Sequence, residues 1–395
     1  MRVLIVHNRY QQAGGEDSVC AAEIALLRDG GHDVHTLFFD NDDISGGMAA
    51  VRAALFTPYN PASRRRLERT LDTVRPDVVH VHNWFPVASP SIFSACAATR
   101  TPVVWTLHNF RVTCVNGLLF RDGHVCEDCL GKVPLAGIRH RCYRGSVAGS
   151  AVVALTDGVH KFAGTWSRKV NRLIALNEFA RGKFVEAGLA PERLVVKPNF
   201  VADPRPFDAA RPRSGAVFVG RLSAEKGVRM LVEAWADVPA PLTIIGEGPE
   251  EGALRRSAGP NVTFAGKLDR ESVYDRIAGA AALIVPSLWY ENFPMVVVEA
   301  FALGTPVIAS RCGALTEIVR EGVDGWHFAV GDAADLARVA TAAFADPAAL
   351  RERSVAARAT FEKSLSPARN LAMLEAIYVD AIADAHRTDT RAPLC

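Results

Sequence analysis

A chain of 395 residues with 49% hydrophobic content and a formal net charge of +2 is too long for one hydrophobic core and apolar enough for two. So small a charge leaves no basic footprint of the kind a nucleic-acid binder carries, and no run approaches the ~20 apolar residues of a membrane span. The opening MRVLIVHN is broken too soon to be a signal peptide, so a soluble cytoplasmic protein is expected. The eight cysteines then argue against a disulfide framework, because a reducing compartment keeps thiols reduced.

In chain order, the apolar run Arg2 to Val6 ends in His7-Asn8 and gives way to a loop holding Gly14-Gly15. An apolar periodic segment from Val19 to Leu27 follows, then a second strand from Asp33 to Phe38. Strand, glycine loop, helix and strand are the opening of a parallel α/β sheet. The glycine pair is either a plain turn or a place where backbone N–H groups approach a phosphate, and the full dinucleotide fingerprint is absent.

Arg64-Arg65-Arg66 and Arg69 share a stretch with Leu67 and Leu71, four apart as on one helix face. It reads as a solvated helix or, more sharply, as a peripheral contact with the inner face of the membrane. Val78 to Asn83 (VVHVHN) and Val103 to Asn109 (VVWTLHN) are two more apolar runs ending in His-Asn. Ligands in open parallel sheets sit beyond the C-terminal strand ends, which places His7, His82 and His108 to converge on one crevice. Further strands are expected at Leu173 to Leu176 and from Leu194, and the Pro- and charge-rich segment from Asp203 to Gly215 is the best linker.

The second half restarts the rhythm, with strands at Ala216–Val219, Leu242–Ile245, 262–264, Ala282–Val285, 306–309 and Gly325–Phe328 and helices between them. A final amphipathic helix runs from Pro367 to about His386, with a disordered tail after Arg387.

Gly220-Arg221 closes the first of these strands, with Lys226 in the loop behind it. A planar guanidinium and a compact ammonium at such a strand end suit a diphosphate. Gly246-Glu247-Gly248 follows the next strand as a turn against which a flat base can lie. In the stretch Ser287 to Val307, Pro294 suits a helix's first turn, whose free N–H groups favour a phosphate. Glu291 lies in the preceding loop and is placed for sugar hydroxyls, Glu299 lies further along and is placed for a ribose, and a solvated surface carboxylate is the plain alternative for each.

The chain resembles the retaining nucleotide-sugar glycosyltransferases of family 4. The likeness rests on Gly14-Gly15, Gly220-Arg221 with Lys226, Gly246-Glu247-Gly248, and Glu291 and Glu299 with seven residues between them. It implies an α/β fold of the B type, two Rossmann-like doubly wound domains facing a central cleft, with the C-terminal helix crossing back to the first. Residues 1–200 would form the acceptor-side domain, 201–365 the donor domain and 366–395 the crossover helix and tail. The resemblance makes Arg221 and Lys226 ligands of the donor diphosphate, Glu299 of the ribose and Glu291 of the transferred sugar. His108 would meet that sugar near the reacting centre, and Gly14 and Gly15 would offer backbone to the phosphates. The implied donor shell adds Gly220, Gly246, Leu268, Asn292, Phe293 and Pro294, with Asn292 standing where the family often has glycine. The co-substrate is then a UDP- or GDP-sugar, no catalytic metal is expected, and the sugar passes to a glycan, lipid-linked or small-molecule hydroxyl acceptor without inversion. Rivals are a sugar-nucleotide epimerase or hydrolase of the same fold and a non-catalytic binding protein.

Cys114, Cys126, Cys129 and Cys142 cluster in a polar insertion over 111–145. Cys126-x-x-Cys129 has the spacing of a zinc half-site, which the outer pair, or His124 or His140, completes as a structural metal centre. Free or disulfide-bonded thiols are the alternative. Arg139, Arg141 and Arg144 in the same insertion are candidates for an acceptor's phosphate.

Overall fold

The computed structural model describes residues 1–11, 14–41 and 47–389. The chain divides into two compact units. One holds Met1–Leu119, Glu127–Pro198 and the chain from Asn370 onward; the other holds Phe120–Cys126 and Asn199–Arg369.

The first unit is built on a six-stranded parallel sheet in the order β2-β1-β3-β4-β7-β8. Its strands are β1 (Arg2–Arg9), β2 (Asp33–Asp40), β3 (Val78–Asn83), β4 (Val103–Thr106), β7 (Arg172–Ala175) and β8 (Leu194–Val196). A short antiparallel hairpin, β5 (Phe120–Arg121) and β6 (His124–Val125), lies in the insertion between β4 and β7 and groups with the second unit. All residues of β3, β4 and β7 are buried, as expected where helices cover both faces of a parallel sheet. Successive strands are added outward in opposite directions from the β1/β3 boundary, so the crevice beyond their C-terminal ends is the expected ligand position. There β1 pairs His7 with Asn83 and skips His82, a bulge that re-aims the side chains around it.

The C-terminal helix spans Pro367–Asp389, three residues past the expected end, and residues 390–395 of the expected tail lie outside the described chain. Its apolar stripe, Leu374, Ile377, Tyr378 and Ala381, joins Val3, Ile5, Val78, Val104 and Ile174 in one core cluster. Polar ties reinforce the seam: Tyr378 OH meets His80 Nδ1 at 2.8 Å, and Arg172 Nε donates to Asp380 at 2.5 Å.

The second unit carries six parallel strands in the order β11-β10-β9-β12-β13-β14. These are β9 (Ala216–Val219), β10 (Leu242–Ile245), β11 (Val262–Gly266), β12 (Ala282–Val285), β13 (Val307–Ser310) and β14 (Gly325–Phe328). Counted within the unit this is the 3-2-1-4-5-6 order of a dinucleotide-binding fold, whose switch point falls between β9 and β12. Alternation along the strands sorts the core into two layers: Phe218, Ile244 and Ile284 pack with Trp235 on one face, and Val217, Ile245 and Leu283 pack with Phe301 on the other. Both sheets thus deliver their strand ends, and the loops that follow, to positions where this topology binds ligands.

Candidate active site

At the switch point of the first unit the three His-Asn pairs divide their labour. The asparagines build the loops: Asn8 Oδ1 accepts from the N–H groups of Val87 and Ala88 at 2.9 and 3.0 Å, and Asn83 Nδ2 donates to the carbonyl of Asn8 at 2.8 Å. The histidines converge as expected. The rings of His7 and His82 lie 6.3 Å apart, those of His82 and His108 stack at 5.2 Å, and His82 Nδ1 is 3.0 Å from His108 Nε2.

Behind them lies a buried ionic core. Glu23, on the inner face of the helix Gly15–Asp29, pairs with the fully buried ammonium of Lys197, which also donates to Asn370 Oδ1 at 3.0 Å. His82 Nε2 approaches Glu23 Oε2 at 3.1 Å, but the approach is poorly aligned for a hydrogen bond, so Glu23 acts on His82 by charge. Burial alone would raise the Glu23 carboxyl; Lys197, His82 and His80 outweigh it and hold the group well below its usual range. Burial, reinforced by His82, pushes the His108 imidazole well below its usual range, so it is neutral near pH 7.

Gly14 and Gly15 are exposed, and a Cβ on either would meet nothing within 4 Å. The start of this helix already has a carboxylate: Asp17 Oδ2 accepts from Gly14 N at 2.9 Å, and its Oδ1 lies 2.8 Å from His7 Nε2. Glu16 beside it, hydrogen-bonded by Tyr10 OH at 2.8 Å, is raised to about 8 by burial.

In the second unit the loops after β9 and β12 meet. Lys226 Nζ donates to Glu291 Oε1 at 2.6 Å, and Ser287 Oγ donates to the same oxygen at 2.7 Å. Glu291 is buried, Lys226 half-buried. Gly227 makes this approach possible: its φ is 68°, and a Cβ there would come within 2.0 Å of the Pro286 carbonyl. Gly246 has the same kind of role, since a Cβ would lie 1.9 Å from Gly220 O. What crowds Gly246 is therefore the neighbouring strand end, a closer reason for glycine than the flat base the sequence suggested.

Arg221 is exposed and has no ion-pair partner among the described residues. Pro294 is the N-cap of the helix Met295–Ala302 rather than a residue of its first turn. Glu299, on that helix, is partly buried near Arg270 and Tyr274, and burial raises it to about 7 against the pull of Arg270. Leu268 and Phe293 pack at the edge of the adjoining core cluster, while Asn292 is partly buried in the loop.

Sequence reasoning missed His80, Glu23 and Lys197, the groups that support the histidines. Their signals were present: His80 shares a strand face with His82, Glu23 stands between Val19 and Leu27 on an apolar helix face, and Lys197 directly follows an apolar strand. Among the described residues one trio of potential metal ligands lies within 4.8 Å, Glu23, His80 and His82. It is a poor metal site, because Lys197 already neutralises the carboxylate and both His80 nitrogens have partners, Tyr378 and Thr106. The metal centre expected in the insertion is not assembled: among the described residues Cys114, Cys129 and Cys142 form no such trio, and Cys126 belongs to the other unit; Cys114 and Cys129 are buried, Cys126 and Cys142 partly so.

Comparison with known proteins finds matches in both halves of the chain. Residues 13–204 match the model described as Glycosyltransferase Family 4, and residues 213–346 match that of Glycosyl transferases group 1. Glycogen synthase of Mycobacterium tuberculosis is 31% identical over 346 residues, 82% of this chain and 73% of that protein. Phosphatidyl-myo-inositol mannosyltransferase of Mycobacterium leprae is 28% identical over 386 residues, 91% of each chain. In structure, Anabaena Alr3699/HepE in complex with UDP superposes with a TM-score of 0.69 at 17% identity, over 95% of this chain and 99% of that one. Sucrose-phosphate synthase of Thermosynechococcus elongatus gives 0.68 at 17%, over 97% and 100%. With family models matched in both halves and a relative above 30% identity along most of its length, the chain belongs to the family 4 two-domain glycosyltransferases.

Proposed function

We propose that this glycosyltransferase passes a hexose from a UDP- or GDP-sugar to a hydroxyl acceptor with retention of configuration, in cell-surface polysaccharide or glycoconjugate synthesis. The observation that carries the reading is the contact between Lys226 and Glu291 at the switch point of the second unit. A cation for the leaving diphosphate and a carboxylate for the sugar's hydroxyls must lie side by side, because the bond that breaks joins those two groups. Lys226 and the unpaired, exposed Arg221 stabilise the departing diphosphate, Glu299 holds the ribose and Glu291 orients the hexose. Gly14 and Gly15 serve the phosphates through backbone N–H groups, and His108 contacts the sugar. With no side chain assigned as a covalent nucleophile, the acceptor attacks the face from which the diphosphate leaves. The UDP complex of the Anabaena protein and the inositol lipid in the mannosyltransferase name support this donor and an acceptor at a lipid surface.

A panel of sugar nucleotides incubated with and without acceptor tests the reading. Acceptor-dependent release of nucleoside diphosphate is expected, abolished in folded Glu291→Ala, with the product anomer matching the donor's by NMR. An inverted anomer overturns retention, and full activity of the variant overturns the site.

One further role belongs to this reading. Exposed Val51, Leu55 and Phe56 lie on the helix Gly47–Phe56, and Arg65, Arg66 and Arg69 on the helix Pro61–Val74 line a cavity of about 1110 Å³ with Phe56. Apolar side chains beside guanidinium groups suit peripheral contact with an anionic membrane, expected as co-sedimentation with phosphatidylglycerol vesicles but not phosphatidylcholine ones. A zinc centre in the insertion does not fit this structure: among the described residues Cys114, Cys129 and Cys142 form no group of ligand atoms within 4.8 Å, Cys126 belongs to the other unit, and buried Val112, Val115 and Leu119 already give the segment an apolar core. Elemental analysis of the folded chain should find no zinc, and one zinc per chain would overturn this reading.

A further inference from the structure

Asp157 is the least explained side chain of the first unit. It lies on the inner face of the helix Val147–Phe162, beside Val153, Ala154 and His160, and is 4% exposed. Neither carboxyl oxygen has a hydrogen-bond partner among the described residues. Leaving a buried polar group unpaired is costly, so a carboxyl retained in such a place points to a partner that arrives from outside.

There is room for such a partner. Asp157 lines a cavity of about 320 Å³ with Val112, Thr113, Val133, Pro134 and Phe162, and the lysines 132 and 161 at its exposed edge. That volume is at the low end for a small-molecule site. Val112 also lines the small cavity against His82 and His108, so the two spaces share a wall.

The chemistry of the cavity selects its occupant. Burial pushes the Asp157 carboxyl well above its usual range against the pull of Arg111 and Lys161, which favours the protonated form, able both to donate and to accept. Those same positive groups disfavour a cationic ligand. An anion would meet a cation only at the exposed edge, where Lys132 lies, because Lys161 Nζ is already turned to Ala187 O at 2.9 Å. A hydroxyl, itself donor and acceptor, is the complement that remains.

The mouth of the cavity is apolar. Phe162, which lines it, is 96% exposed. Val133 on the opposite wall is 68% exposed. We propose that this cavity binds the hydroxylated headgroup of an amphiphile, with a headgroup hydroxyl on Asp157 and its hydrocarbon chain against Phe162 and Val133 at the mouth. That the amphiphile is the acceptor rests on the proposed transfer reaction; that it binds here does not.

The test is calorimetric titration of the full chain with n-octyl β-glucoside below its micelle concentration, with glucose and 1-octanol as controls. Saturable binding of the glucoside is expected, roughly tenfold tighter than either control, a ratio worth about 1.4 kcal/mol. Asp157→Leu should weaken it by about tenfold or more while raising the melting temperature, because an unpaired buried carboxyl is removed. Asp157→Asn, which keeps a donor and an acceptor, should retain it within a few-fold. Phe162→Asp, at an exposed position that cannot disturb the core, should reduce the glucoside to the affinity of glucose. Absence of saturable binding, octanol or glucose binding as tightly as the glucoside, or unchanged affinity in both Asp157→Leu and Phe162→Asp overturns the proposal. Acceptor-dependent turnover is scored separately, so a failed transfer reaction with intact glucoside binding counts against the reaction alone.

Discussion

His82 Nδ1 lies 3.0 Å from His108 Nε2 with the two rings stacked, so whichever proton sits between them fixes what His108 can offer on its other side. The charge of Glu23, 3.1 Å from His82 Nε2, favours the proton on that nitrogen and leaves Nδ1 bare. His108 Nε2–H then donates to it, and His108 Nδ1 is left as an acceptor. His82 is thereby a positioning residue for His108. His82→Phe keeps a stacking ring but loses the acceptor, and kcat should fall about tenfold, the worth of one hydrogen bond, with donor KM little changed. His82→Asn should recover part of the loss. Equal kcat in His82→Phe and wild type would contradict the positioning.

The same chain of contacts ends in a buried ion pair, with Glu23 and Lys197 at 1% and 0% exposure. Removing one partner strands the other's charge in the core, so Lys197→Met and Glu23→Gln should each cost about 3–5 kcal/mol in urea unfolding. The double variant should lose much less than the sum of the two single losses, since no charge is then left buried. The sign with pH is fixed by the depressed Glu23 carboxyl: its stabilisation is present above about pH 4.5, the unfolded value, and is lost as pH falls toward the folded one.

Most strands were legible because parallel strands covered on both faces are short apolar runs, and β4 and β12 are little else. The repeated His-Asn ending also announced the first half-site, since side chains at strand ends in such a sheet are delivered to one crevice. The asparagines' work in holding the loop over 84–88 depends on which backbone comes near, and no spacing records that. Glu23, Lys197 and Asp157 were passed over for a related reason. Each is a single polar residue on an apolar face, and whether it meets a partner there, as Glu23 does, or none, as Asp157 does, is decided by segments far away in sequence. In the second half-site Glu291 and Lys226 were both found, but their direct pairing needed Gly227 to fold the loop against Pro286.

That pairing predicts how the donor site fails. With Glu291 7% and Lys226 26% exposed at the side chain, each holds the other in place before any ligand arrives. Lys226→Met removes a diphosphate cation and also frees Glu291 from its neighbour, so both donor KM and kcat should deteriorate, with kcat/KM down by about 100-fold or more. Lys226→Arg keeps the charge but not the compact shape, and should restore only part of it. Arg221→Met, which breaks no ion pair among the described residues, should leave the melting temperature unchanged while weakening donor binding. A variant pair with the opposite order of effects would place the diphosphate elsewhere.

Glu299 makes donor binding depend on pH in a definite direction. Its carboxyl is raised to about 7 by burial, well above an ordinary glutamate. An ionised carboxylate accepts hydrogen bonds from both ribose hydroxyls, so binding favours the ionised form and releases a proton wherever the free protein holds one. Affinity for a nucleoside-diphosphate sugar, whose diphosphate has no protonation step of its own in this range, should therefore rise from pH 6 to pH 8 and then level off. About a tenth of Glu299 is ionised one unit below its pKa, so the gain over that interval is roughly tenfold. In the unliganded protein the sign is opposite: the folded state holds a proton the unfolded chain gives up near pH 4.5, so this group's contribution is complete below that pH and is lost as pH rises through about 7. Glu299→Gln should flatten both curves, leaving weak donor binding with no slope between pH 6 and 8. A variant that keeps the slope would assign the proton to another group.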